Sequence, residues 1–284
     1  MKYHFFYLLL FIIMGSSCQP DSVDPEKLLW EDKPKVTEKP MDTGSWVPVV
    51  ELSDEFNGAE IDLSKWRVGN SYNWDGSQMG GPGKFHDDNV TVADGCLQIK
   101  TTVADPSKEG KETEHWIWNG CLQSTLPICE PGYYYEARMK ASDLCTTSSF
   151  WLHYQFEIDI VEAAGNSKLL REYSYKMNMS AHDHRAGTKF VSATRSVYLP
   201  DYKRSSDDFF IYGVLWTTEK LTFYLNNEKV NEFNVAGFNF DENLYLFFDT
   251  EVHVWQGVPT VAELNDPSKN TMYVDWVRVY KRID

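Results

Sequence analysis

Helical periodicity is nearly missing from this 284-residue chain. That argues against helical bundles and against folds that alternate strands with long helices. Basic residues are scarce: 27 Lys and Arg stand against 42 Asp and Glu, a formal charge of −15. A phosphate backbone demands a basic surface, so nucleic acid is excluded as a partner. The sequence contains no GxSxG, GxGxxG or GxxxxGK[ST], which removes the nucleophile-elbow hydrolases and the phosphate-binding loops. It has no CxxC pair to suggest zinc. No apolar run is long enough for a confident membrane span.

The longest such run, Phe5 to Met14, follows Lys2 and has the length of a signal-peptide core. Gly15-Ser16-Ser17 then leads into Cys18. Small residues before a Cys resemble a bacterial lipobox, which makes residues 1–18 a lipoprotein-type signal and Cys18 the lipidation site; the alternative is an ordinary secretory signal cleaved near the same point. Either implies export. The expected address is the bacterial outer membrane or cell surface through a lipid anchor, and otherwise the periplasm or the medium. Residues 19–45 are rich in Pro and mixed charge and read as a flexible linker. Cys96, Cys121, Cys129 and Cys145 are the remaining cysteines; an oxidising destination permits disulfides, and three pairings stay open beside unpaired buried thiols.

From Trp46 to Asp284 the pattern is strands and turns, forming one domain. Asp94-Gly95 sits between β-branched runs as a hairpin turn, and Asn226-Asn227 marks a second. Thr260-Val-Ala-Glu263 after Pro259 is a capping box for one short helix. In the last strand, strict alternation puts Tyr273, Asp275, Val277 and Val279 on one face, and Val274, Trp276, Arg278 and Tyr280 on the other. Many short strands without long helices predict an all-β class, a β-jelly-roll sandwich of two antiparallel sheets. Aromatic residues make up 15% of the chain; most are expected to pack in the core, and some suit the flat apolar faces of sugar rings in a groove.

Phe156-Glu157-Ile158-Asp159-Ile160-Val161-Glu162 places three acids in a strand, where acids are disfavoured. Alternation puts Glu157 and Asp159 on one face but turns Glu162 to the other. A single β-bulge at Ile160-Val161 restores Glu162 to its companions and sends the apolar residues inward. Three carboxylates on one face without interleaved basic residues repel one another, which is costly unless they do chemistry. Two carboxyls about 5–5.5 Å apart suit retaining glycosidic cleavage, one as nucleophile and one as acid and then base. Asp159 between them is expected to raise the pKa of Glu162 and to hold Glu157 by a hydrogen bond.

EIDIVE matches the ExDxxE signature of glycoside hydrolase family 16, and SDEFNG, FWL and YVDWVRVY are similar to that family as well. The resemblance covers roughly Trp46 to Asp284. It implies a β-jelly-roll with a concave substrate groove, Glu157 as nucleophile, Glu162 as acid/base and Asp159 as the assisting carboxylate. It also implies Trp151 at the cleavage subsite, and strand alternation puts His153 and Glu157 on the face of that Trp. Within the family the chain resembles the β-agarases and β-porphyranases, through the segment from Asp249 to Trp255, the PTVAELND after it, and SYNWDGSQMGG. Trp74 and Trp255 are then expected to touch sugar. Porphyranases of this type carry an Arg shortly after that first Trp; here Asp75-Gly76-Ser77 follows, which keeps agarose open.

The resemblance further implies a structural calcium away from the groove, with Asp275 as side-chain ligand and Gly95 as a carbonyl donor; catalysis requires no cofactor. His182-Asp183-His184 with His153 or His253 suits groove or surface polarity better than a transition metal, since no third ligand stands at a convincing spacing. The expected activity is endo-acting, retaining hydrolysis of β-1,4 linkages in porphyran or agarose by a monomer. The alternatives are the same mechanism on a laminarin-like glucan or a carrageenan, and a non-catalytic glycan-binding lipoprotein.

Overall fold

The structure is a computed structural model and describes residues 44–71, 75–76, 81–184, 193–236 and 242–284. Trp74, Cys18 and the segment before residue 44 lie outside the described residues. The early strands are β1 (Trp46–Pro48), β2 (Trp66–Val68), β3 (Gly83–Phe85), β4 (Val90–Ala93), β5 (Cys96–Lys100) and β6 (Thr102–Val103). Next come β7 (Ile117–Asn119), β8 (Cys121–Ser124), β9 (Tyr133–Lys140), β10 (Thr147–His153), β11 (Phe156–Ala163) and β12 (Lys176–Asp183). The last are β13 (Ala193–Tyr198), β14 (Phe210–Trp216), β15 (Lys220–Leu225), β16 (Glu228–Asn234), β17 (Tyr245–Glu251) and β18 (Thr271–Arg282). Among the described residues the one α-helix, α1 (Val261–Leu264), carries the capping box: Thr260 accepts from the Glu263 amide, and Glu263 accepts from the Thr260 amide.

One sheet has the order β16-β15-β14-β9-β18-β5-β4 with β1 on β18; the other runs β13-β12-β11-β10-β17-β8-β2. Both are antiparallel throughout. A small third sheet, β3-β7-β6, includes one parallel pair. The core lies between the two large sheets. Phe150, Leu152, Ile158, Ile160, Val161, Met179 and Phe248 from one side join Ala137, Met139, Val214, Phe223, Val277 and Val279 from the other in one buried cluster. Each large apolar side chain sealed there contributes about 1.5–3 kcal/mol, an interface large enough to hold the sheets together.

Both two-residue hairpin turns take the left-handed backbone that the right-handed strand twist requires. Asp94 and Gly95 have φ of 53° and 71°, and Asn226 and Asn227 have 49° and 69°. Cys121, Cys129 and Cys145 are buried free thiols and Cys96 is buried as well, with no disulfide among the four.

The alternation expected for the last strand fails at its centre. Val274 pairs with Met139 and Trp276 with Arg138, leaving Asp275 as an extra residue. This bulge brings Val274 onto the same core face as Val277 and Val279.

Candidate active site

β11 lies between β10 and β12, and its register against β10 shows how the acids come together. Asp159 pairs with Trp151 and Val161 with Phe150, so Ile160 is the extra residue of a β-bulge. The bulge therefore falls where the three acids require it. Ile158, Ile160 and Val161 are fully buried in the core, while Glu157, Asp159 and Glu162 share the opposite, open face.

Cross-strand pairing then sets the neighbours. Glu157 stands between His153 on β10 and His182 on β12. His153 Nδ1 lies 3.4 Å and His182 Nε2 4.0 Å from its carboxylate. His184 Nε2 lies 3.1 Å from Glu157 Oε2. Asp159 pairs with Ser180, whose hydroxyl donates to the carboxylate at 2.5 Å, and His182 Nε2 is 3.5 Å away. The expected hydrogen bond from Asp159 to Glu157 is not formed. Two carboxylates without a shared proton repel, and His182 stands between them instead. Among the described residues the basic partners of these acids are histidines, with no Lys or Arg.

Glu162 behaves as expected. Burial first, and then the charge of Asp159, push its carboxyl up to about 8, with His253 pulling the other way. Asp159 is itself raised, by burial and then by Glu157. His182 is raised chiefly by its contact with Asp159 and His184 by its contact with Glu157, whereas burial takes His153 down to about 4.

Trp151 is nearly buried, stacks on Phe247 with ring centroids 4.7 Å apart, and donates its indole N–H to Asp249 Oδ2 at 2.9 Å. It forms a floor beside Asp159. Trp255 is 41% exposed and meets Tyr173 edge to face at 5.4 Å. Burial, then Glu162 and Asp159, push the Tyr173 phenol up, which sets this aromatic pair at the Glu162 end of the row.

Two acids on β17 escaped the sequence reading. Asp249 pairs with Ser149, which in turn pairs with Glu162, and Glu251 lies two residues further along the same face. Both are buried and raised well above the ordinary carboxyl range, Asp249 by burial and then Glu251, Glu251 by burial and then Glu157. His253 Nε2 is 3.4 Å from Glu251. The alternation Asp249, Glu251, His253 was the available signal: polar residues at every second position mark one strand face.

Asp275, the expected calcium ligand, is fully buried in the β18 bulge, and Arg138 Nη1 donates to it at 2.8 Å. Asp275 and Arg138 thus form an internal ion pair. Gly95 occupies the β4–β5 turn.

The β-porphyranase A-D, GH16 domain family matches residues 46–282. The chain is 31% identical over 255 residues to β-porphyranase E of Zobellia galactanivorans, covering 83% of this chain and 88% of that protein. It is 28% identical over 294 residues to a β-agarase of Agarivorans albus, covering 89% of this chain and 60% of that protein. The solved β-porphyranase BpGH16B from the human gut bacterium Bacteroides plebeius is similar with a TM-score of 0.74 and 28% identity, over 87% of this chain and 96% of that one.

Proposed function

This chain belongs to the β-porphyranase A-D family of GH16 domains and is a glycoside hydrolase, and from that premise we propose that it cuts internal β-1,4 linkages of a red-algal galactan with retention. The observation that carries this reading is the Ile160 bulge, which gathers Glu157, Asp159 and Glu162 on one open face.

In the first step Glu162 gives its proton to the leaving glycosidic oxygen while a Glu157 oxygen bonds to the anomeric carbon and the C–O bond to the leaving sugar breaks. Burial and the Asp159 charge keep that proton on Glu162 at neutral pH. In the second step Glu162, now a carboxylate, takes a proton from water as its oxygen displaces Glu157 and frees the sugar. Asp159 acts through His182 and through its field on Glu162. Trp151, His153, Trp74 and Trp255 are assigned to the sugar-binding surface.

Porphyran is the first substrate to test, given the relatives' names. Agarose is the second reading. Asp75 stands where the porphyranase-type Arg is expected and pairs with Lys84 at 2.9 Å, so that position offers a sulfate no guanidinium. Export with lipidation at Cys18 completes the proposal, giving the enzyme a membrane tether near its polymer.

The decisive experiment digests porphyran, agarose, laminarin and carrageenan side by side, identifying products and their first-formed anomer by NMR. Sulfated products assign porphyran, and neutral products from agarose alone assign agarose. Reducing ends from laminarin or carrageenan only, or a first product of inverted configuration, overturn the proposal.

A further inference from the structure

Two of the histidines around Glu157 make a compact set of donor atoms with it. His153 Nδ1, Glu157 Oε2 and His184 Nε2 come from three different positions, on β10, on β11 and just past the end of β12. Each residue offers a ligand atom, and these atoms lie within 4.8 Å of one another. The two distances to Glu157 Oε2 are 3.4 Å from His153 and 3.1 Å from His184. Donors about 2.0–2.2 Å from a tetrahedral zinc stand roughly 3.3 Å from each other; both contacts with Glu157 match that spacing, and the two imidazole nitrogens lie within 4.8 Å. Two imidazoles and one carboxylate are the donor set of open zinc sites, with a fourth position left for water. Magnesium and calcium prefer oxygen donors and fit it poorly.

We propose that Glu157, His153 and His184 form an inhibitory site for Zn²⁺ that occupies the nucleophile. A neighbouring group, Glu157 with Asp159 and His182, also brings three donors together. Its contacts are wider, at 3.5 and 4.0 Å, and Asp159 is already engaged by Ser180. The first group also has an entry path, since the His184 side chain is 47% exposed. With zinc bound, the Glu157 oxygen that would attack the anomeric carbon is a metal ligand. Hydrolysis stops, and a chelator restores it.

The inhibition rests on the proposed role of Glu157; the binding does not. The test is therefore calorimetric titration of the folded, zinc-free protein with ZnCl₂, without substrate, beside activity assays with zinc and then EDTA. The expected result is one saturable site, weakened about tenfold or more in both His153→Ala and His184→Ala, and less in His182→Ala. Circular dichroism of each zinc-free variant checks that the fold is kept. As a second measure, Co²⁺ in place of zinc should give the intense visible bands of a tetrahedral site in the parent protein, lost in His184→Ala. Absence of saturable binding, or binding indifferent to His153 and His184, overturns the site. Failure of the zinc-free enzyme to cut any galactan would instead overturn the functional proposal and leave the binding result standing.

Discussion

β11 and β18 are both central strands interrupted by one bulge, and both carry buried acid at the irregular stretch. Their acids have opposite fates. Asp275 of β18 meets Arg138 at 2.8 Å, and three residues on Arg278 meets Glu55 at 2.8 Å, so charge is cancelled where it is buried. On β11, Asp159 and Glu162 face further carboxyls and imidazoles instead of a guanidinium, and their protons are held more tightly. The same backbone device thus serves cohesion in one sheet and reactivity in the other. What separates the two is the partner across the strand, not the bulge.

That comparison yields four tests. The largest expected effect is on chemistry. Glu157→Ala should lower kcat by more than about 10⁴-fold with little change in thermal unfolding, because it removes the nucleophile from an open face. Hydrolysis at the parent rate would remove Glu157 from the mechanism. Next comes Asp275→Ala, which strands the Arg138 guanidinium and should cost about 3–5 kcal/mol by denaturant unfolding, while the folded fraction keeps its kcat. A stability loss under 1 kcal/mol would show that the β18 pair is not the cohesive element described.

The third test concerns pH. Glu162 carries its proton up to about 8 in the folded protein against an ordinary value of 4.5. Between those values the folded state holds a proton that the unfolded chain has released, so this group's contribution to stability declines as pH rises through that window. The same ionisation removes the general acid, so kcat/KM should fall on an alkaline limb near pH 8. Asp159→Asn removes the neighbouring charge and should move that limb down by about one pH unit. An unmoved limb would separate Asp159 from Glu162. Smallest is Thr260→Ala at the α1 cap, expected to cost about 1 kcal/mol in thermal unfolding with activity unchanged.

The fold class, both hairpin turns and the short helix were legible because each rests on local chemistry: left-handed backbone at Asp94-Gly95 and Asn226-Asn227, and a reciprocal cap at Thr260 and Glu263. The β11 bulge was legible because three acids must avoid the core. The β18 bulge was not, since Asp275 satisfies simple alternation with Tyr273 and Val277 in the bare sequence. Convergence of His153, His182 and His184 depends on the register of β10, β11 and β12, a long-range property that spacing does not encode. The pair His182 and His184, two residues apart at the end of one strand, was its only local trace.

The lack of disulfides among the four described cysteines carries a practical consequence. With no covalent staple among Cys96, Cys121, Cys129 and Cys145, the sandwich keeps its cohesion in a reducing cytoplasm, and dithiothreitol should leave its melting curve unchanged. Burial pushes the Cys145 thiol up to about 12, and Cys121 is shut beneath Trp151 and Phe247. Neither reacts while the sheets stay closed. Maleimide labelling at Cys121 therefore becomes a clock for how often the floor of the catalytic face breathes.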